Sequence, residues 1–242
     1  MTPIAALLLA VALLPLGQLL FARRRRIEGR RYPRMVRTSW LRFGVPPLVL
    51  LGIIARWPDF LHLPSEFAAA RMLLGIGDVG VVEQRILIGA AAIGVAIGVG
   101  GGMLLTAWRA WRGRPEGTLF GDAAAVRPGP GELGWAAALA VTAGITEEAY
   151  FRLLLPLLAT LAMGSAPIAF AGAALLFGAA HRYQGWRGML ATTLAGAALS
   201  VFYLASGSLI AAMAVHATGD LGHLVLRPAV RGWIERRRSK RR

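Results

Sequence analysis

The stretch LGWAAALAVTAGITEEAYFRLLLPLLATLAM, residues 133–163, is long enough to cross a bilayer as one tilted helix or as two short ones, yet it holds Glu147, Glu148 and Arg152. A charged side chain at mid-membrane costs at least about 2.5–3.5 kcal/mol on insertion scales. Such residues face a protein interior or a water-filled cavity rather than lipid. The stretch therefore reads both as a membrane span and as a candidate site.

Working outward, apolar runs recur along the whole chain. The expected spans are Pro3–Phe21, Gly44–Trp57, Ile86–Trp108, Leu133–Met163, Ala166–His181, Gly188–Ala205 and Ser208–Leu226. Of the 242 residues 56% are hydrophobic and 16% charged, against about 25% charged in soluble domains. The expected fold is all-α, a polytopic transmembrane helix bundle of about seven to eight spans, eight if the fourth breaks near Gly144. The expected division is residues 1–132 as N-terminal spans and loops, 133–226 as a functional membrane core, and 227–242 as a basic tail. Ala90, Gly94, Gly98 and Gly102, four residues apart, form a ridge suited to close helix packing.

The net charge of +15 could suggest nucleic acid, but its distribution argues otherwise. Arg23–Arg42 holds nine arginines against Glu28, and Arg227–Arg242 holds eight basic residues against Glu235. Both clusters flank apolar segments, as the positive-inside rule predicts, so the lipid bilayer and not nucleic acid is the expected environment. Basic and non-basic connections alternate under seven spans with the N-terminus outside and the C-terminus cytoplasmic. The first apolar run has no basic residue before it and ARRRR after it, the reverse of a cleaved signal peptide. The absence of cysteine excludes disulfides and thiolate chemistry. An arginine-rich chain with one lysine, Lys240, points to a GC-rich, bacterial source and so to a bacterial plasma membrane.

The last four expected spans hold few ionisable residues: Glu147, Glu148, Arg152, His181, His216, Asp220 and His223. Glu147 and Glu148 lie about 100° apart on a helix. Glu148 and Arg152 are i, i+4 with the acid first, the favourable order for an ion pair. That pairing leaves Glu147 for chemistry. His216 and Asp220 share a helix face, and His181 follows Phe177 by one turn. His223 reads as supporting or structural. A carboxylate and an imidazole can activate water, and a second imidazole can stabilise an oxyanion. The same groups could ligate zinc, although the His-Glu-x-x-His pattern is absent.

EEAYFR (Glu147–Arg152) fits EExxxR, FGAAH (Phe177–His181) fits FxxxH, and HATGD (His216–Asp220) fits Hxxx followed by Asn or Asp. In this order, on three successive apolar regions, they resemble the CAAX protease and bacteriocin-processing family of intramembrane proteins. The resemblance covers roughly Leu133–Leu226 and implies a glutamate-dependent endopeptidase that needs no cofactor. It implies that Glu147 and His181 activate the attacking water and that His216 and Asp220 stabilise the oxyanion. Glu148, Arg152 and Phe177 would support them. An ionised Asp220 repels an oxyanion, so it would act protonated or by orienting His216. The implied partner is a membrane-associated peptide or protein. Two other classes fit the residues: a non-catalytic immunity or scaffold protein, and a transporter or proton relay. The latter favours internal repeats, and none is visible.

Overall fold

The computed structural model describes residues 3–21, 31–77, 80–115, 128–129 and 131–240. Arg23–Arg30 of the first basic cluster, Asp78, the loop residues 116–127, Pro130 and Arg241–Arg242 lie outside the described residues. The fold is an all-α membrane helix bundle: α1 (Pro3–Phe21), α2 (Arg31–Ser39), α3 (Val45–Ile53), α4 (Ala68–Leu73), α5 (Val81–Trp111), α6 (Leu133–Glu148), α7 (Leu155–Met163), α8 (Ala166–Ala180), α9 (Gly185–Ser206), α10 (Leu209–Leu221) and α11 (Arg227–Ser239).

Three junctions in this order are π turns rather than breaks, at Trp40–Gly44, Ala149–Leu154 and Gly222–Leu226. Their cause is the same each time. A proline follows two residues after the turn, at Pro46, Pro156 and Pro228. Proline has no N–H, and its ring clashes with the carbonyl four residues back. The helix opens by one residue instead of ending. The residue before each proline donates five residues back: Val45 to Trp40, Leu155 to Tyr150 and Arg227 to Gly222. So α2–α3, α6–α7 and α10–α11 are three continuous rods. The break near Gly144 that the alternative eight-span parse requires does not occur, and the basic segment expected as a tail continues the last rod to Ser239.

Among the described residues four helical stretches are long and apolar enough to cross a membrane: Pro3–Phe21, Val81–Trp111, Arg182–Ser206 and Leu209–Ser239. The other expected spans fall short for identifiable reasons. The α2–α3 rod begins in basic sequence, α8 has 15 residues, and α6–α7 carries the charged residues. That last rod is enclosed by protein: Leu153, Leu154, Leu157 and Leu158 are fully buried. Its core is shared with Leu8, Ala12 and Leu16 of α1, Leu50 and Leu51 of α3, Phe170 and Phe177 of α8, and Tyr203 of α9. Residues on both sides of position 132 therefore build one core. The outer surface is apolar, with Leu7, Leu14, Ile93, Ile97, Leu104, Leu175, Leu194 and Ile210 exposed, as a lipid-facing surface requires.

A Cβ at Gly94 or Gly98 would meet nothing within 4 Å, so among the described residues the small-residue ridge is not a helix–helix seam; of its glycines Gly102 lies close to another helix, against the Arg227 guanidinium. The C-terminal end of α5 is instead held by arginines of α11. Arg238 Nη1 donates to Ala110 O at 2.7 Å, and Arg231 donates to Arg114 O at 3.5 Å. Cations at a helix C-terminus satisfy its orphan carbonyls and its dipole.

At another connection, Arg56 gathers the loop after α3. It donates from Nε to Asp59 at 2.6 Å, and from Nη1 and Nη2 to Glu66 at 2.6 and 2.9 Å. Gly164 and Gly207 end α7 and α9 with φ of 76° and 64°, the left-handed conformation that glycine adopts without a Cβ penalty.

Candidate active site

The site lies where α6–α7, α8, α9 and α10 meet. Contact between α6 and α10 is close because Gly144 has no side chain. A Cβ there would stand 2.7 Å from Ala217 Cβ and 2.9 Å from Met213 O. This approach brings His216 beside Glu148. On the opposite flank of α6, Thr146 Oγ1 donates to Thr142 O at 2.9 Å and accepts from Ser39 Oγ at 2.9 Å. The residue before Glu147 is thereby tied to α2.

Glu148 and Arg152 form the expected pair, with Glu148 Oε1 at 2.9 Å from Arg152 Nη1. The contact is an ion pair outside hydrogen-bond geometry, for Nη1 has no hydrogen-bond partner. The pair is fully enclosed, with Glu148 0% and Arg152 1% exposed. Arg152 also donates from Nη2 to Gly196 O at 3.4 Å and lies 4.4 Å from the centroid of the Phe177 ring. The ring face carries the negative end of its quadrupole, so it attracts the guanidinium.

The sequence did not reveal a second role for Glu148: its Oε1 also accepts from His216 Nδ1 at 2.6 Å. One carboxylate oxygen thus joins Arg152 to His216. A carboxylate only accepts, so His216 donates from Nδ1 and presents Nε2 to the other side. There Nε2 stands 3.7 Å from Asp220 Oδ2 and 4.0 Å from Glu147 Oε2. His181 is fixed likewise. Its Nδ1 donates to Phe177 O at 2.8 Å, which leaves Nε2 as the acceptor of the neutral ring.

Glu147 differs from its neighbour. Oε2 of each is buried without a hydrogen bond, but Glu147 has no partner like those that hold Glu148 Oε1, and its nearest ion-pair contact is His216 Nε2 at 4.0 Å. It is coupled electrostatically to His181, His216, Asp220 and Arg152. Its side chain is 13% exposed and that of Asp220 36%, so the cluster opens on the Asp220 side.

Phe177 is the packing hub. Its ring lies 4.9 Å from that of His181, 6.0 Å from His216 and 5.1 Å from Phe151, and it sits against Gly196. The structure therefore brings together Glu147, Glu148, Arg152, Phe177, His181, His216 and Asp220. His223 falls in the last π turn and is exposed. Sequence reasoning missed Gly144, Gly196 and the Glu148–His216 bond. The spacing of Gly144 one turn before Glu148 is the sole trace of them in the chain. Among the described residues, no group of three or more His, Asp or Glu side chains is placed to hold a metal ion.

Apolar helices that enclose carboxylates, imidazoles and an arginine in one cluster define an integral membrane protein with a buried acid–base centre. Residues 129–222 match the family model described as Type II CAAX prenyl endopeptidase Rce1-like. The match covers less than half of the chain but contains every residue of the cluster, so this segment is similar to that family. Neither a curated protein nor a solved structure matches the chain significantly.

Proposed function

We propose that the chain is an intramembrane endopeptidase that hydrolyses a peptide bond in a membrane-associated or lipidated peptide or protein, with Glu147 and His181 activating the water. The observation that carries this reading is Glu147. It is a carboxylate inside a membrane bundle with a buried, unbonded oxygen beside two imidazoles. Glu148 also has a bare oxygen, Oε2, but its Oε1 is held by both His216 and Arg152, whereas neither oxygen of Glu147 is held by a hydrogen bond.

In the proposed step the water proton passes to Glu147, directly or through His181 Nε2. The water oxygen bonds to the peptide carbonyl carbon, and the C=O π pair moves onto the carbonyl oxygen. Collapse re-forms C=O and breaks C–N, and the departing nitrogen takes the proton back. The products are a carboxylic acid and an amine, and the acid passes its proton to the amine to give carboxylate and ammonium, with no change in oxidation state. General acid–base assistance of this kind supplies roughly 10²–10⁴-fold. His216, when protonated at Nε2, donates to the oxyanion while Glu148 holds Nδ1. Asp220 orients that ring, and Arg152 offsets the charge of Glu148. The reading requires no metal.

The basic rod end Arg227–Ser239 favours a cytoplasmic C-terminus, and the arginine-rich composition favours a bacterial plasma membrane. The test is cleavage of a library of lipidated and unlipidated membrane-anchored peptides in liposomes, with and without chelator. Cleavage that survives chelator and is lost in Glu147→Gln supports the reading. Cleavage lost on chelation moves the site to the metal class. A Glu147→Gln protein that keeps its cellular phenotype favours the non-catalytic binding protein.

A further inference from the structure

Hydrolysis of an amide places negative charge on the former carbonyl oxygen, and that charge needs N–H or O–H donors aimed at it. The cluster is short of them. Glu147 and Glu148 are carboxylates, and an ionised Asp220 only accepts. His181 Nδ1 donates to Phe177 O, and His216 Nδ1 donates to Glu148. Arg152 is 1% exposed and held between Glu148, Gly196 and Phe177. Among these residues only His216 Nε2 is left to donate, and it faces two carboxylates.

Tyr183 offers the missing donor. It lies on the 3-10 turn Arg182–Gln184 directly after His181, and its ring is 5.7 Å from the His181 ring. Its oxygen accepts from Gln184 Nε2 at 3.2 Å, and Gln184 Oε1 accepts from Thr192 Oγ1 at 3.4 Å. With the oxygen held by an incoming donor, the hydroxyl hydrogen remains to be given. With its ring beside that of His181, the phenol belongs to the rim of the cluster. The ring is 39% exposed, within reach of an entering peptide.

We propose that the Tyr183 hydroxyl is a catalytic hydrogen-bond donor to the oxyanion. The inference rests on the hydrolytic reading of Glu147. Its test compares wild type, Tyr183→Phe and Glu147→Gln in liposomes. The probes are an internally quenched farnesylated peptide ending in Cys-aliphatic-aliphatic-X, a phosphonate analogue of it that carries the tetrahedral anion, and an uncleavable neutral ketomethylene analogue. Tyr183→Phe is expected to lower kcat about 10²-fold with KM changed less than about threefold. It is also expected to weaken the phosphonate but not the neutral analogue, a split that loss of structure does not produce. Should Tyr183→Phe fail to fold, Gln184→Leu, which releases the phenol oxygen, is expected to show the same split at about tenfold. Equal affinity of Tyr183→Phe and wild type for the phosphonate, with Glu147→Gln inactive, overturns the inference and leaves the hydrolytic reading standing. Cleavage by Glu147→Gln, or a wild type that neither cleaves nor binds the phosphonate, overturns the hydrolytic reading and the inference with it.

Discussion

Glu147 and Glu148 are neighbours in the chain with opposite surroundings. Each keeps a buried, unbonded Oε2, but Glu148 Oε1 is held by Arg152 and His216, whereas Glu147 has no hydrogen bond at either oxygen. Removing one partner of a buried pair leaves an uncompensated charge and costs about 3–5 kcal/mol. Arg152→Ala is therefore expected to destabilise the protein by about that amount in detergent unfolding, while Glu147→Gln changes stability by less than about 1 kcal/mol. Equal losses would show that both glutamates are structural. Glu66 supplies a pH test away from the membrane core. Its hydrogen bonds from Arg56 hold its carboxyl below the ordinary 4.5. A carboxyl lowered in this way adds stability above its unfolded pKa, and that stability is lost as pH falls through the folded value. Amide exchange in residues 54–67 is expected to be independent of this pair from pH 8 to 5 and to rise below about 4.5; Glu66→Gln is expected to remove that acid transition. At this scale the sequence showed the Glu148–Arg152 pair, because i, i+4 spacing is local. It did not show the bond to His216, which depends on how α6 and α10 meet.

Among elements, the π turns matter most. Each sits where a proline cannot donate and its helix nevertheless continues, and the one at Ala149–Leu154 contains Arg152 and begins next to Glu148. Pro156→Ala is expected to let that turn close to α geometry, which rotates Arg152 relative to Glu148. The expected outcome is a protein at least as stable as wild type in thermal unfolding but at least about tenfold less active. Unchanged activity would mean that the π turn has no part in positioning the pair. Gly144→Val is expected to force α6 and α10 apart and weaken both fold and activity, because the nearest atoms include backbone. The apolar runs made most of the helices legible. The prolines were equally visible, but a proline in an apolar run marks a break as readily as a bulge, and packing of the rod decides which.

For the whole molecule, charge and hydropathy revealed a membrane bundle but overstated its regularity. Seven runs looked like spans, yet α6–α7 is surrounded by other helices and α8 is short. Hydropathy cannot separate a helix facing lipid from one buried in protein, since both are apolar. The ridge on α5 shows the same limit, for small residues permit a close approach without supplying the partner. Topology can be read cleanly because the chain has no cysteine. Ser239→Cys is expected to react with an impermeant maleimide only from the cytoplasmic face, and Leu61→Cys only from the outer face. Labelling of both from one side would contradict the proposed orientation.

The central claim is that Glu147 performs chemistry while Glu148 holds the site together. The most direct measurement is single-turnover peptide cleavage by wild type, Glu147→Gln and Glu148→Gln in liposomes, with the folded fraction of each protein determined in the same sample. Glu147→Gln is expected to stay folded and to lose cleavage by at least about 10²-fold, whereas Glu148→Gln is expected to lose stability along with cleavage. A folded Glu147→Gln protein that cleaves at the wild-type rate would contradict the claim.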